Sequence, residues 1–159
     1  MIRAAGRVEN KGRPKSLWTI GYGGRTPAEF TSMLKENGIT TVADVRLRPD
    51  RASMGSYSRA KSPDKGIEKL LSSEGIEYIH FLELGNLFLD DIFDIAWKRR
   101  YAALLAVSGD ILLERLIMVA SYPQGRVCLL CAEKDYRSCH REEIARAMME
   151  REFIVHHLM

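Results

Sequence analysis

The chain alternates strand-like runs with stretches of helical pattern. Two consecutive units share one construction, a helix followed by Gly-Ile and then a strand, with joints at Gly38-Ile39 and Gly75-Ile76. A helix between successive strands favours parallel pairing, because a parallel pair needs a crossover and the crossover helix covers one face of the sheet. Strand-like runs fall at residues 17–22, 39–45, 76–81, 126–131 and 153–158. Thr26, Pro27 and Glu29 read as a capping box with proline at the first helical position, and Phe30, Met33 and Leu34 share one face. Ser62-Pro63 offers a second helix start, with Ile67, Leu70 and Leu71 as its apolar face. Residues 90–107 and 110–121 read as helical up to the turn Tyr122-Pro123-Gln124-Gly125, and a last helix covers residues 139–151. The pattern predicts an α/β fold: a single domain over residues 17–159, with a mostly parallel sheet of about five strands and helices on both faces, a three-layer α/β/α arrangement.

Charge separates the ends of the chain. The net charge is +3, and residues 1–16 alone carry +4, which reads as a basic, flexible tail ahead of the domain. A second basic stretch, residues 46–65, holds Arg46, Arg48, Arg51, Arg59, Lys61 and Lys65 around the small residues 52–56. It reads as a mobile loop able to hold phosphate or polynucleotide, or as a solvated loop that confers solubility. No run of about 18 apolar residues points to a membrane span. Three cysteines, and a first segment without an apolar signal core, point to reduced thiols in a cytosolic protein. The oligomeric state is not legible.

In open parallel sheets, ligands bind beyond the carboxyl ends of the strands. Those ends carry Gly21-Tyr22, then Asp44 and Arg46 with Arg48 beyond them, then Glu83, then Cys131-Ala132-Glu133. Gly21, Tyr22, Asp44, Arg46, Arg48 and Glu83 are therefore candidate ligand-binding residues. The densest chemistry is Cys131, Glu133, Cys139, His140 and Arg141, the candidate catalytic set. Cys128 is set aside as a buried small hydrophobe, since positions three apart on a strand point to opposite faces. Ser138 reads as the cap of the last helix, which puts Cys139, His140 and Arg141 in its first turn, where a thiol gains thiolate character. Tyr22 and Gly21/Gly23/Gly24 lack the full dinucleotide fingerprint. His80, His156 and His157 carry no assigned chemistry, and Trp97 and Tyr101 read as core or as an oligomer contact.

Three chemistries remain open for the cysteine–histidine segment. In the first, Cys131 is a nucleophile or redox thiol, Arg141 and the helix start hold an anion, Glu133 or His140 moves protons, and Cys139 resolves. A metal site from Cys131, Cys139 and His140, with Glu133, is the second; the spacing matches no strong zinc motif, so no metal or resident cofactor is assigned and zinc stays an alternative. The third is a non-catalytic anion or nucleotide site. The reading that leads is a cysteine-dependent transferase or hydrolase acting on a small anionic, phosphate- or nucleotide-like, substrate. A nucleic-acid-binding module using residues 46–65 is its alternative.

On Thr19-Ile20-Gly21-Tyr22 with the Thr26-Pro27 helix start, Asp44-Val45-Arg46, Glu83-Leu84-Gly85, Cys131-Ala132-Glu133 and Cys139-His140-Arg141, the chain resembles the domain-of-unknown-function family 488 over roughly residues 17–158. That resemblance implies a compact α/β domain and no particular activity. The order helix, Asp-Val-Arg strand, cysteine-ended strand, Arg-Ser and helix is also similar to rhodanese-type domains. The chain departs from that pattern in the segment after its second strand and in a cysteine loop without glycine. Sulfur transfer is thus implied by analogy only.

Overall fold

The structure, a computed structural model, describes residues 14–88 and 96–159. Five strands, β1 (Lys15–Gly21), β2 (Thr41–Asp44), β3 (Glu77–His80), β4 (Val127–Cys131) and β5 (Phe153–Leu158), form one sheet in the order β3-β2-β4-β1-β5. Every pairing is parallel. The helices are α1 (Pro27–Glu36), α2 (Gly66–Ser72), α3 (Ala96–Leu112), α4 (Glu114–Ala120) and α5 (Arg141–Met149). The first strand starts before residue 17: Lys15 and Ser16 pair with Phe153 and Ile154. The rest of the expected tail, residues 1–13, lies outside the described residues, as do residues 90–95 of the expected third helix.

Alternation along β4 sorts the core into two halves. Val127, Leu129 and Cys131 pack with Tyr101 and Leu105 of α3, Leu116 of α4, and Ile144 and Met148 of α5. Cys128 and Leu130 face Phe30 and Leu34 of α1 and Ile67 and Leu71 of α2. Two covered faces make the three-layer α/β/α sandwich, and each fully buried side chain of this size contributes about 1.5–3 kcal/mol.

Local signals account for most boundaries. Thr26 Oγ1 accepts from the Glu29 N–H at 3.2 Å and Glu29 Oε2 accepts from the Thr26 N–H at 3.1 Å, so the capping box forms as expected. Two expectations change. Ser62 caps nothing: it holds Asp64 in a turn, and α2 begins at Gly66. A Cβ at Gly66 would lie 2.0 Å from the Ser58 carbonyl, so only glycine lets the helix start against that strap. The expected break at residues 108–109 is absent: α3 runs on to Leu112, and α4 begins at Glu114. Gly109 leaves room for the Arg151 guanidinium, which crosses from the end of α5 to bond Asp110 Oδ1 at 2.7 Å.

The basic stretch after β2 is built rather than loose. It holds two 3-10 turns, Pro49–Arg51 and Gly55–Tyr57. Tyr57 is buried, its hydroxyl donating to the Arg25 carbonyl at 2.7 Å and its own carbonyl accepting from Arg46 Nη1 at 2.7 Å. The chain leaves β1 toward β2 and leaves β4 toward β5, through helices on opposite faces. Adjacent strands whose exits diverge open a crevice at their carboxyl ends.

Candidate active site

A cavity of about 600 Å³ occupies that crevice. Its floor is Cys131, the last residue of β4, with Cys139 and His140 arriving just before α5. Cys131 Sγ lies 3.8 Å and Cys139 Sγ 3.7 Å from His140 Nδ1. His140 Nε2 is 2.8 Å from the Val45 carbonyl, an acceptor only, so Nε2 carries a hydrogen and Nδ1 is left facing both sulfurs. The ring is held further by Tyr101, edge-on at 5.2 Å, whose hydroxyl donates to the Leu84 carbonyl. Cys131 and Cys139 are 7% and 3% exposed.

Charge is divided unevenly among these groups. A hydrogen bond from the Cys139 S–H holds the Cys131 thiol well below the ordinary thiol range, against the opposing effect of burial and with help from His140 and Arg141. Burial pushes the Cys139 thiol up, and the Cys131 sulfur beside it pushes the same way. Burial works against the His140 imidazolium, yet Cys131 outweighs it and leaves the imidazole more basic than usual. Thiolate character is thus favoured on Cys131 over Cys139, beside an imidazole of raised basicity. Cys139 Sγ also accepts the Arg141 backbone N–H at 3.5 Å; the N-cap of α5 is His140, without a side-chain cap, and not Ser138. Ser138 instead donates to the Asp135 carbonyl within a 3-10 turn, Tyr136–Ser138.

The walls combine aromatic surface with cationic rim. Tyr22 stacks on Tyr57 with ring centres 4.5 Å apart, and the Arg46 guanidinium lies 5.2 Å from the Tyr22 ring. Arg46 lines the cavity while bonding Asp44 Oδ2 at 2.7 Å. Burial opposes that cation, but the Asp44 carboxylate more than compensates and keeps its pKa above the usual arginine value. Arg48 and Arg51 stand at the mouth, where Arg48 pairs with Asp50.

Other expected site residues fall elsewhere. Asp44 is fully buried under Arg46 and accepts the Tyr78 hydroxyl at 2.6 Å; it supports the wall without lining it. Gly21 lies beneath the cysteine loop, where a Cβ would stand 1.7 Å from the Glu133 carbonyl oxygen. Glu133 lines the rim, exposed. Two further placements also depart from the sequence reading. Arg141 is 0% exposed and does not line the cavity; its guanidinium turns inward and donates to the Glu133 and Lys134 carbonyls, clamping the loop instead of gripping a ligand. Glu83 is drawn away by Arg115, which bonds both its carboxylate oxygens at 2.7 and 2.8 Å. Asn86, Phe88 and Trp97 line the cavity without having been singled out for it, and Arg51 of the basic stretch joins them. Of the four, Arg51 carried the charge signal of residues 46–65, and Trp97 read with Tyr101 as core or an oligomer contact.

Among the described residues no helix is long and apolar enough to cross a membrane. No curated protein and no solved structure matches the chain, so the likeness to rhodanese-type domains stays one of motif order alone. A family model does match, across residues 26–148, and takes in all of the Cys131–His140 group: the chain belongs to the family described as domain of unknown function DUF488.

Proposed function

We propose that the protein is a cysteine-dependent transferase or hydrolase acting on a small anionic substrate, with Cys131 as its nucleophile. The observation that carries this is the Cys131 sulfur on the cavity floor, 3.8 Å from a His140 ring whose far nitrogen is held by the Val45 carbonyl. A nucleophile, a base within reach and a third group that orients the base are the parts covalent catalysis needs. The anion enters past Arg48 and Arg51 and settles near Arg46. The Cys131 thiolate attacks the electrophilic centre, a sulfur–substrate bond forms, and the bond to the leaving group breaks. The leaving group departs with its electron pair and takes the proton from His140 Nδ1. Water or a second acceptor, deprotonated by the now neutral His140, then releases the product and restores the thiolate.

Paired alkylating reagents test this without knowledge of the substrate. Iodoacetate is an anion and iodoacetamide its neutral analogue, so an isolated thiolate repels the first. In the native protein Cys131 is the residue modified, as read by peptide mass, and iodoacetate reacts at least as fast as iodoacetamide. Modification spread over all three cysteines, or a strong preference for iodoacetamide, overturns the proposal.

A further inference from the structure

We infer that Cys131, Cys139 and His140 form a binding site for one soft divalent cation, of which Zn²⁺ is the type, with a fourth coordination position open to the cavity. It concerns regulation of the centre proposed above, because metal and substrate compete for the same Cys131 sulfur.

The geometry is close to that of a tetrahedral set. With zinc–sulfur bonds of about 2.3 Å and zinc–nitrogen bonds of about 2.0–2.1 Å, sulfur and nitrogen ligands stand about 3.6 Å apart. Here the two S···N distances are 3.8 and 3.7 Å. All three donor atoms lie within 4.8 Å of one another, so the sulfurs need at most about 1 Å of closure to reach a shared metal. The donors belong to two adjoining pieces of backbone, the end of β4 and the start of α5, which the Arg141 clamp ties together.

The surroundings match a ligand set as well. A metal-bound imidazole ordinarily donates its other N–H to a fixed acceptor, which sets the tautomer and the ring direction. His140 does this with the Val45 carbonyl, leaving Nδ1 for the metal. Cys139 Sγ accepts the Arg141 backbone N–H, a bond that favours its thiolate. Two sulfurs and one imidazole select soft or borderline ions over Mg²⁺ or Ca²⁺. Three protein ligands leave one position for water or an anion, and all three residues line the cavity. Cys128 takes no part, being packed on the opposite face of the sheet.

Titration of the reduced protein with Co²⁺ tests the site. One equivalent should give the visible absorption of a tetrahedral cobalt centre together with a thiolate-to-cobalt charge-transfer band, and Zn²⁺ should displace it. Cys128→Ser keeps the full spectrum. Cys139→Ser weakens the charge-transfer band, and His140→Gln, which removes a ligand, lowers affinity by more than the roughly 10–100-fold that losing an outer-shell partner costs, while keeping both sulfurs. Circular dichroism confirms that each variant folds, and if one variant does not, the other still decides. Zn²⁺ at 100 times its Kd should slow alkylation of Cys131 by about 100-fold. No charge-transfer band in the wild type, or a spectrum and affinity unchanged in every folded variant of the two ligands, overturns the inference. Selective alkylation of metal-free protein reads the nucleophile reading on its own, so the two proposals fail separately.

Discussion

Cys128 and Cys131 stand three residues apart on one strand, both with little or no contact with water, and their thiols are driven in opposite directions. Burial among the aliphatic side chains of α1 and α2 pushes Cys128 up, and the distant Arg141 does little to offset it. Cys131 is buried too, yet a donating Cys139 and the neighbouring His140 hold it down. Depth therefore does not decide thiol chemistry here; the polar partners on each side of the sheet do. The two sides end differently at the mouth of the cavity. On the α1–α2 side the polar groups close on themselves: Asp44 bonds Arg46 and Tyr78, and Arg46 bonds Tyr57. Across the sheet, the sulfur–imidazole group keeps one side open to the cavity.

The largest expected effect compares the two sulfurs directly. In native buffer Cys131 should alkylate more than about 1,000-fold faster than Cys128, because reaching Cys128 requires opening a core strand whose local stability approaches the global 5–15 kcal/mol. Quantitative peptide mass spectrometry over time measures the ratio. Comparable rates would show that both faces open alike and would remove the contrast.

Next is the closed side. Asp44→Asn leaves the Arg46 guanidinium buried without its carboxylate, and losing one partner of a buried pair costs about 3–5 kcal/mol. Urea denaturation should show a lower midpoint with an unchanged slope. A loss under about 1 kcal/mol would mean that Arg46 turns out to the cavity at little cost, and the closed side would then be a ligand site in waiting.

The sequence showed the frame more readily than the lining. Thr26-Pro27-Ala28-Glu29, and the glycines at 38 and 75, are local signals whose physics is complete within a few residues, so β1, α1, β2 and the end of α2 were legible. The opposite orientation of Cys128 followed from strand alternation alone. Arg141 and Glu83 misled because each is settled by a partner that sequence spacing does not bring near. For Arg141 the partners are loop carbonyls exposed by the way residues 131–138 bend. For Glu83 the partner is Arg115, 32 positions on. Residues 46–65 looked loose because their composition is small and basic, but Tyr57 and Arg46 tie them down through contacts 11 and 32 residues apart. Asn86 and Phe88 gave no signal because a cavity wall made by several loops has no period, and Arg51 was visible only as charge.

A smaller effect sharpens the contrast in packing. Cys128→Ser puts a hydroxyl into the aliphatic face of α1 and α2, where an unpaired polar group costs about 1–3 kcal/mol. Cys131→Ser should cost less, since the hydroxyl can donate to His140 and the site borders the cavity. Thermal unfolding of the two variants in parallel measures the difference. Equal losses would mean that the His140 side is no more tolerant of a polar atom than the sealed side.

The smallest effect belongs to the rim, and it decides whether the open side receives anions at all. Arg51 lines the mouth and, among the described residues, has no ion-pair partner, whereas Arg48 is already held by Asp50. Arg51→Gln removes one charge from the mouth of the cavity, and a unit charge at about 8 Å in water is worth about 0.5 kcal/mol. The ratio of iodoacetate to iodoacetamide rates at Cys131 should therefore fall about 2-fold. Arg48→Gln changes the local charge by the same amount but frees the Asp50 carboxylate at the mouth, so its effect on the ratio should be at least as large. Both effects should shrink as salt rises from 0.01 to 0.1 M, because screening shortens from about 30 to about 10 Å. Wild-type and variant ratios that agree at low salt would leave Arg46 as the cation that meets an incoming anion. In that case the polar closure of the α1–α2 side, rather than the loop beyond it, would set what the cavity accepts.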